Sequence, residues 1–354
     1  MTMSSSWERA RNVLAVRLDA LGDVLMTTPA LRALKKSCPG RRLTLFTSPA
    51  GERAARLVPE VDRVLVYEAP WMKATAPRAD SRPEFAVIEE LRRRRFDAAV
   101  VFTVYSQNPL PAAFLCRLAD IPLRLAHCRE NPYQLLTDWV PDPEPDRCVR
   151  HEVRRQLDLV GAVGCRTDDE RLSLRVPDAA RRRMAAALAG LGIQPDGRWV
   201  LIHPGASAPS RRYPPEGFAA AARQLTREHG YQVVFTGVEP EQELVERIRT
   251  MMEVPSHSLA GALSLAEFAA LVAQAPLLIA NNSGPVHVAA AVGTPVVDLY
   301  ALTNPQHTPW GVPHRVLNQD VPCKYCYKSV CPQQHHDCLR RVPPEDVVRA
   351  ACEL

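Results

Sequence analysis

Apolar residues along this chain gather in short, nearly continuous runs separated by stretches with helical spacing. Asn12–Arg17 (NVLAVR), Arg42–Thr47, Arg63–Tyr67 and Ala98–Thr103 (AAVVFT) read as buried strands, because a strand covered on both faces loses its polar alternation. Leu18–Gly22 is a loop after the first of them, and Val24–Lys36 has the three-and-four spacing of a helix. Pro141–Pro145 breaks the pattern, His151–Val160 reads as a helix, and an Ala/Arg-rich helix lies within 166–197. The alternation then restarts. Trp199–His203 (WVLIH), Gln232–Thr236 (QVVFT), Pro276–Asn281 and Pro295–Tyr300 read as strands. Helices over Pro215–Glu228, Glu241–Met251, Ser264–Gln274 and Val286–Val292 fall among them. Strands alternating with helices predict βαβ units and an α/β fold with parallel sheets. Two such blocks, each opening on its own apolar strand, predict two Rossmann-like domains, 1–170 and 171–354, facing each other across a cleft.

Length agrees, since 354 residues make two domains at roughly 150 residues each. The longest apolar stretches, Ala269–Ala280 and Val286–Val297, are interrupted by Gln, Pro, His or Gly and fall short of the about 18–20 residues that span a bilayer. Met1–Arg11 is polar and has no secretory pattern, so the expected location is the cytoplasm. The net charge is +5, and residues 1–150 carry all of the excess, with 23 Lys/Arg against 18 Asp/Glu. Aromatic residues are only 6% and no basic stripe interleaves with them, which argues against nucleic acid as a partner. An anionic ligand or membrane headgroups at the first domain remain compatible with that charge.

Ligands of open α/β sheets bind beyond the carboxyl ends of the strands, and three loops there carry chemistry. In Leu18–Asp23 (LDALGD), Gly22 allows a tight turn and Asp23 is either a helix cap or a carboxylate available as general base. No GxGxxG accompanies it, so a dinucleotide fingerprint is missing. In His203–Tyr213 (HPGASAPSRRY), Gly205 permits close backbone approach, while Arg211 and Arg212 supply charge suited to phosphate. In Asn281–His287 (NNSGPVH), a strand delivers Asn282, Ser283 and Gly284 to a helix start with Pro285 at its first turn. Free N–H groups and the helix dipole make that start an anion site, which His287 can also reach.

Ten cysteines divide into two groups. Cys38, Cys116, Cys128, Cys148, Cys165 and Cys352 are scattered and are expected to be free and buried. Cys323, Cys326, Cys331 and Cys338 cluster with His335 and His336, and suggest a structural zinc site, free thiols or a labile disulfide.

Together these segments resemble glycosyltransferase family 9, the ADP-heptose:lipopolysaccharide heptosyltransferases. The resemblance rests on VRLDALGDVLMTTPALRAL, IHPGASAPSRRYPPEGFA and NNSGPVHVAAAVGTPVV, and the tail CKYCYKSVCPQQHHDCLRRVPPEDV is similar to the heptosyltransferase II subgroup. It implies a GT-B fold, an acceptor on the first domain, a sugar nucleotide on the second, and a final helix packing back on the first. It also implies inverting transfer from an ADP-sugar to a phosphorylated lipopolysaccharide core at the inner membrane, with no metal needed for chemistry. Asp23 matches the family's proposed base and Arg211 its diphosphate contact. Asn282, Ser283, Gly284 and His287 match its Asp-Thr/Ser-Gly…His motif, with Asn replacing Asp. Gly237 and Glu241 occupy the place of the ribose-binding pair, and Arg17 is either structural or a contact for an acceptor phosphate.

Overall fold

The computed structural model describes residues 5–73, 75–194 and 196–354, so the first four residues of the Met1–Arg11 reading lie outside it. The chain divides into two compact units, Met1–Ser173 and Leu174–Leu354.

In the first unit, β1 (Asn12–Arg17), β2 (Arg42–Thr47), β3 (Arg63–Val66), β4 (Ala98–Val101), β5 (Leu123–Cys128) and β6 (Asp138–Pro141) form one sheet in the order β3-β2-β1-β4-β5-β6. The second unit repeats this with β7 (Trp199–His203), β8 (Gln232–Phe235), β9 (His257–Ser258), β10 (Leu278–Asn281), β11 (Val296–Leu299) and β12 (His314–Leu317), in the order β12-β11-β10-β7-β8-β9. All pairings are parallel. Each unit is therefore a doubly wound, Rossmann-like sheet whose strand order reverses beside its first strand. Val16 pairs with Val101 across β1 and β4, and His203 with Ala280 across β7 and β10. The loops that follow these strand pairs thus emerge side by side in each unit.

Strands β5, β6, β9 and β12 were not expected from the apolar pattern. Strand β5 carries a buried Arg124, whose guanidinium donates to the carbonyls of Ile121, Gln134 and Leu135 and so satisfies its charge inside the sheet. Strands β6 and β12 are half-buried edge strands, and β9 has two residues, so none needs a continuous apolar run.

The final helix, Pro344–Cys352, belongs to the second unit. Its apolar face, with Val347, Val348, Ala350 and Ala351, packs into the core formed by Phe218, Leu225, Val297 and Leu299. Among the described residues no helix is long and apolar enough to cross a membrane.

Candidate functional site

The first unit builds its site around one arginine. Arg17 ends β1 with no exposed surface, yet three carboxylates meet it. Its Nε lies 3.0 Å from Asp19 Oδ2, its Nη2 3.0 Å from Asp23 Oδ1 and its Nη1 2.9 Å from Glu152 Oε1. Burial works against the Arg17 charge, but Asp19, Glu152 and Asp23 together raise its proton affinity, so it is a fixed cation. Burial also pushes the Asp19 and Glu152 carboxyls up, against the pull of Arg17. Each nitrogen faces a carboxylate and the side chain has no solvent access, so no edge of Arg17 is open to a ligand. The reading of Arg17 as an acceptor-phosphate contact is corrected: it holds side chains.

The helix after β1 starts at Leu21, earlier than the sequence pattern indicated, and Ala20 occupies its cap position without a side-chain bond. Asp23 therefore sits inside the first turn, where the helix dipole favours a carboxylate, and it does not serve as the cap. Gly22 lies in the same helical turn without a positive φ, so the expected tight turn is absent there. Beside these residues opens a cavity of about 720 Å³, lined by Asp19, Asp23, Ser106, Gln107, Asn108 and Trp71 among others. Gln107 bridges the two loops at the strand reversal by donating to Asp19 Oδ1. Asp23 is the more open carboxylate, at 23% side-chain exposure against 11% for Asp19.

The second unit brings the two other loops together. Asn281, fully buried at the end of β10, accepts from the Tyr213 N–H at 2.9 Å and donates to Pro204 O at 2.7 Å. Arg211 then lies against the helix start, with Nη1 3.3 Å from the carbonyl oxygen of Asn282. Arg212 turns back instead, donating from Nε to Ala206 O at 2.8 Å, which closes its own loop. Ser283 stands at the N-cap of the helix Gly284–Val292 with an extended backbone and no side-chain cap; its hydroxyl donates to Asn281 O at 3.2 Å. Pro285 is in the first turn as expected, and His287 is buried one turn in.

Asn282 faces inward. Its Nδ2 donates to Asp298 Oδ2 at 2.9 Å and to His307 O at 3.0 Å, and the residue is 2% exposed. Burial pushes the Asp298 carboxyl up to about 8, and the Asn282 bond and Arg211 offset that only in part. The amide at 282 suits these partners, because its N–H groups donate to both Asp298 Oδ2 and the His307 carbonyl, and a carboxylate would have no donor for that carbonyl. The side chain of Asn282 thus supports the loop.

Glu241 and Gly237 do meet. A Cβ on Gly237 would lie 3.1 Å from Glu241 Cβ, and one on Gly205 only 2.0 Å from the Glu241 carboxyl carbon. The carboxylate lies 3.4 Å from His203 Nε2 and accepts from the Val238 N–H at 2.9 Å. Burial opposes its ionisation, but His203, Val238 and Arg212 outweigh that and hold it below the usual glutamate value. Arg211, Ser283, Gly284, His287, Gly237 and Glu241 therefore all border the strand reversal of the second unit, where a nucleotide is bound in folds of this kind.

Four functional groups escaped the sequence reading: Asp19, Glu152, Asn281 and Asp298. Asp19 stood in a loop already singled out, whereas Glu152 lies 135 residues from Arg17, and no local signal joins them.

Cys323, Cys326, Cys331 and Cys338 line a second cavity of about 360 Å³ with His335 and His336. Cys331 is buried, the other three are partly exposed, and all ten cysteines are free. Burial and the three neighbouring thiols push Cys338 up. Among the described residues no three His, Cys, Asp or Glu side chains are gathered as ligands of one metal ion. Of the scattered cysteines, Cys148 and Cys352 are exposed, a correction to their expected burial.

Comparison with known proteins agrees with this architecture. The sequence model of glycosyltransferase family 9 (heptosyltransferase) matches residues 84–336. Lipooligosaccharide heptosyltransferase 2 of Haemophilus influenzae is 35% identical over 312 residues, 84% of this chain and 85% of that protein. The lipopolysaccharide core heptosyltransferase OpsX of the same organism is 33% identical over 304 residues, 85% of this chain and 82% of its own length. Among solved structures, the glycosyl transferase family 9 protein of Veillonella parvula superposes with a TM-score of 0.79 at 22% identity, covering 99% of this chain and 98% of that one. The two doubly wound units are those of the GT-B fold.

Proposed function

The chain belongs to glycosyltransferase family 9, and on that premise we propose that it is an inverting heptosyltransferase of the lipopolysaccharide core, using an ADP-heptose donor. The observation that carries the reading is the pair of sites at the two strand reversals: an acidic cavity with a partly exposed Asp23 in the first unit, and a basic, donor-rich loop pair in the second. The relatives' names support heptose as the sugar and a lipopolysaccharide core as the acceptor.

Negative charge builds on the leaving diphosphate as the sugar departs. Arg211, the N–H groups at the start of Gly284–Val292, Ser283 and His287 are the donors that would receive it. Glu241 would hold the ribose hydroxyls, since an ionised carboxylate beside Gly205 and Gly237 can accept from both. Asp23 would take the proton from the acceptor hydroxyl as that oxygen attacks the anomeric carbon from the face opposite the diphosphate, which inverts the centre. Protein donors of this kind make a divalent cation unnecessary, in keeping with loops that contain no DxD pair. The basic excess of the first 150 residues would suit a phosphorylated lipopolysaccharide core at the inner membrane face.

The test is calorimetric titration with ADP, UDP, GDP and NAD in the presence of EDTA, followed by transfer from ADP-heptose to a heptose-deficient core. Selective ADP binding with EDTA-resistant transfer is expected. A preference for UDP or GDP moves the donor to another sugar, and inhibition by EDTA reversed by Mg²⁺ rejects the metal-free mechanism.

A further inference from the structure

Glu152 is an acid that the reaction as described does not use. It has no exposed surface, and it opens the helix Glu152–Gly161, which packs against the helix carrying Asp23. Its Oε1 receives Arg17 Nη1 at 2.9 Å and Gln156 Nε2 at 2.6 Å, while its Oε2 is buried with no hydrogen-bond partner. A buried acid left half-satisfied costs stability, and an isolated structural arginine would need one carboxylate, not three. Arg17 turns one nitrogen to each: Nη1 donates to Glu152 and Nη2 to Asp23, while Nε is ion-paired with Asp19 at 3.0 Å without hydrogen-bond geometry.

We propose that Glu152, together with Asp19, is a positioning residue for the transfer reaction, holding Arg17 so that it orients Asp23 without neutralising it. The proposal rests on the reading of Asp23 as the base. A guanidinium paired with Asp23 alone would suppress that carboxylate's affinity for the acceptor proton. Glu152 and Asp19 share the same cation with Asp23, so the guanidinium charge is divided among three carboxylates. The planar fork, fixed at three points, also sets the direction in which Asp23 faces the cavity. The cluster is faced by charged and polar groups of several elements, and Glu68 and Lys73 line the same cavity as Asp19 and Asp23. Arg17 comes from β1, Asp19 and Asp23 from the following loop and helix, Gln107 from the loop after β4, and Glu152, Arg155 and Gln156 from the packed helix.

The experiment compares Glu152→Gln, Asp19→Asn and Asp23→Asn with the natural protein. The carboxyl titration of Asp23 is followed by carbon NMR, assigned by its loss in Asp23→Asn, alongside pH profiles of kcat. In Glu152→Gln the Asp23 titration and the acid limb of kcat should both move to lower pH, by about half a unit or more. At neutral pH kcat should fall about two- to threefold, with the donor KM within about twofold. Asp19→Asn should move both in the same direction, and it carries the test if Glu152→Gln does not fold. A lowered melting temperature with an unmoved Asp23 titration and pH profile overturns the proposal and makes Glu152 structural. Full activity of Asp23→Asn rejects the base reading instead, and the NMR titration still reports whether Glu152 acts on Asp23.

Discussion

Asn281 ties the two donor-side loops of the second unit together: its carboxamide accepts from the Tyr213 N–H at 2.9 Å and donates to Pro204 O at 2.7 Å. Tyr213 follows Arg211 by two residues, so the position of that arginine depends on a side chain at the end of another strand. Asn281→Ala should leave two buried backbone groups unpaired and lower stability by about 2–4 kcal/mol. Urea unfolding measures this, and ADP affinity at a temperature where the variant is folded should fall as well. Unchanged ADP affinity would show that Arg211 is held by other means.

Asp23→Asn keeps the shape of the side chain and removes the base. Transfer should fall by about 10²–10⁴-fold, while calorimetric binding of ADP, which the proposed function assigns to the second unit, stays as it was. Loss of both together would mean that Asp23 supports the fold.

Gly205 faces the Glu241 carboxylate so closely that an added Cβ would sit 2.0 Å from its carboxyl carbon. The obstacle is the end of a flexible side chain, so Gly205→Ala should fold with little change in melting temperature. Glu241 must then swing away from Val238 and His203, and affinity for ADP should drop several-fold more than affinity for inorganic diphosphate. Equal losses for both ligands would place Glu241 outside the ribose site.

Asp298 gives a pH dependence of known sign. Burial holds its carboxyl at about 8, above the ordinary 3.8. Between those values the folded protein keeps a proton that the unfolded chain has released, so stability falls as pH rises through this window. The contribution is complete below the unfolded value. Asp298→Asn removes the titration and leaves an acceptor for Asn282, so its melting temperature should vary less from pH 5 to 9 and exceed that of the natural protein by several degrees at the alkaline end. A parallel decline in both proteins would assign the pH dependence to another group.

Much of this was legible in the residues themselves. The central strands β1, β4, β7 and β10 are covered on both faces, so their apolar runs announced them, and the loops after β1, β7 and β10 followed with their Asp, Arg and Ser-Gly chemistry. The edge strands β6 and β12 stayed hidden because half-buried strands need no such run, and β5 because it carries a charge satisfied by carbonyls. The fold class and three site loops were thus determined by the sequence, through periodicity and residue type, which are local properties. The surroundings of Arg17, Asn282 and Glu152 were decided by tertiary structure alone. Each depends on a partner brought close by the sheet order: Glu152 for Arg17, Asp298 for Asn282. Whether an arginine binds a ligand or a carboxylate is a matter of burial and of which groups surround it, and neither is written at the position itself.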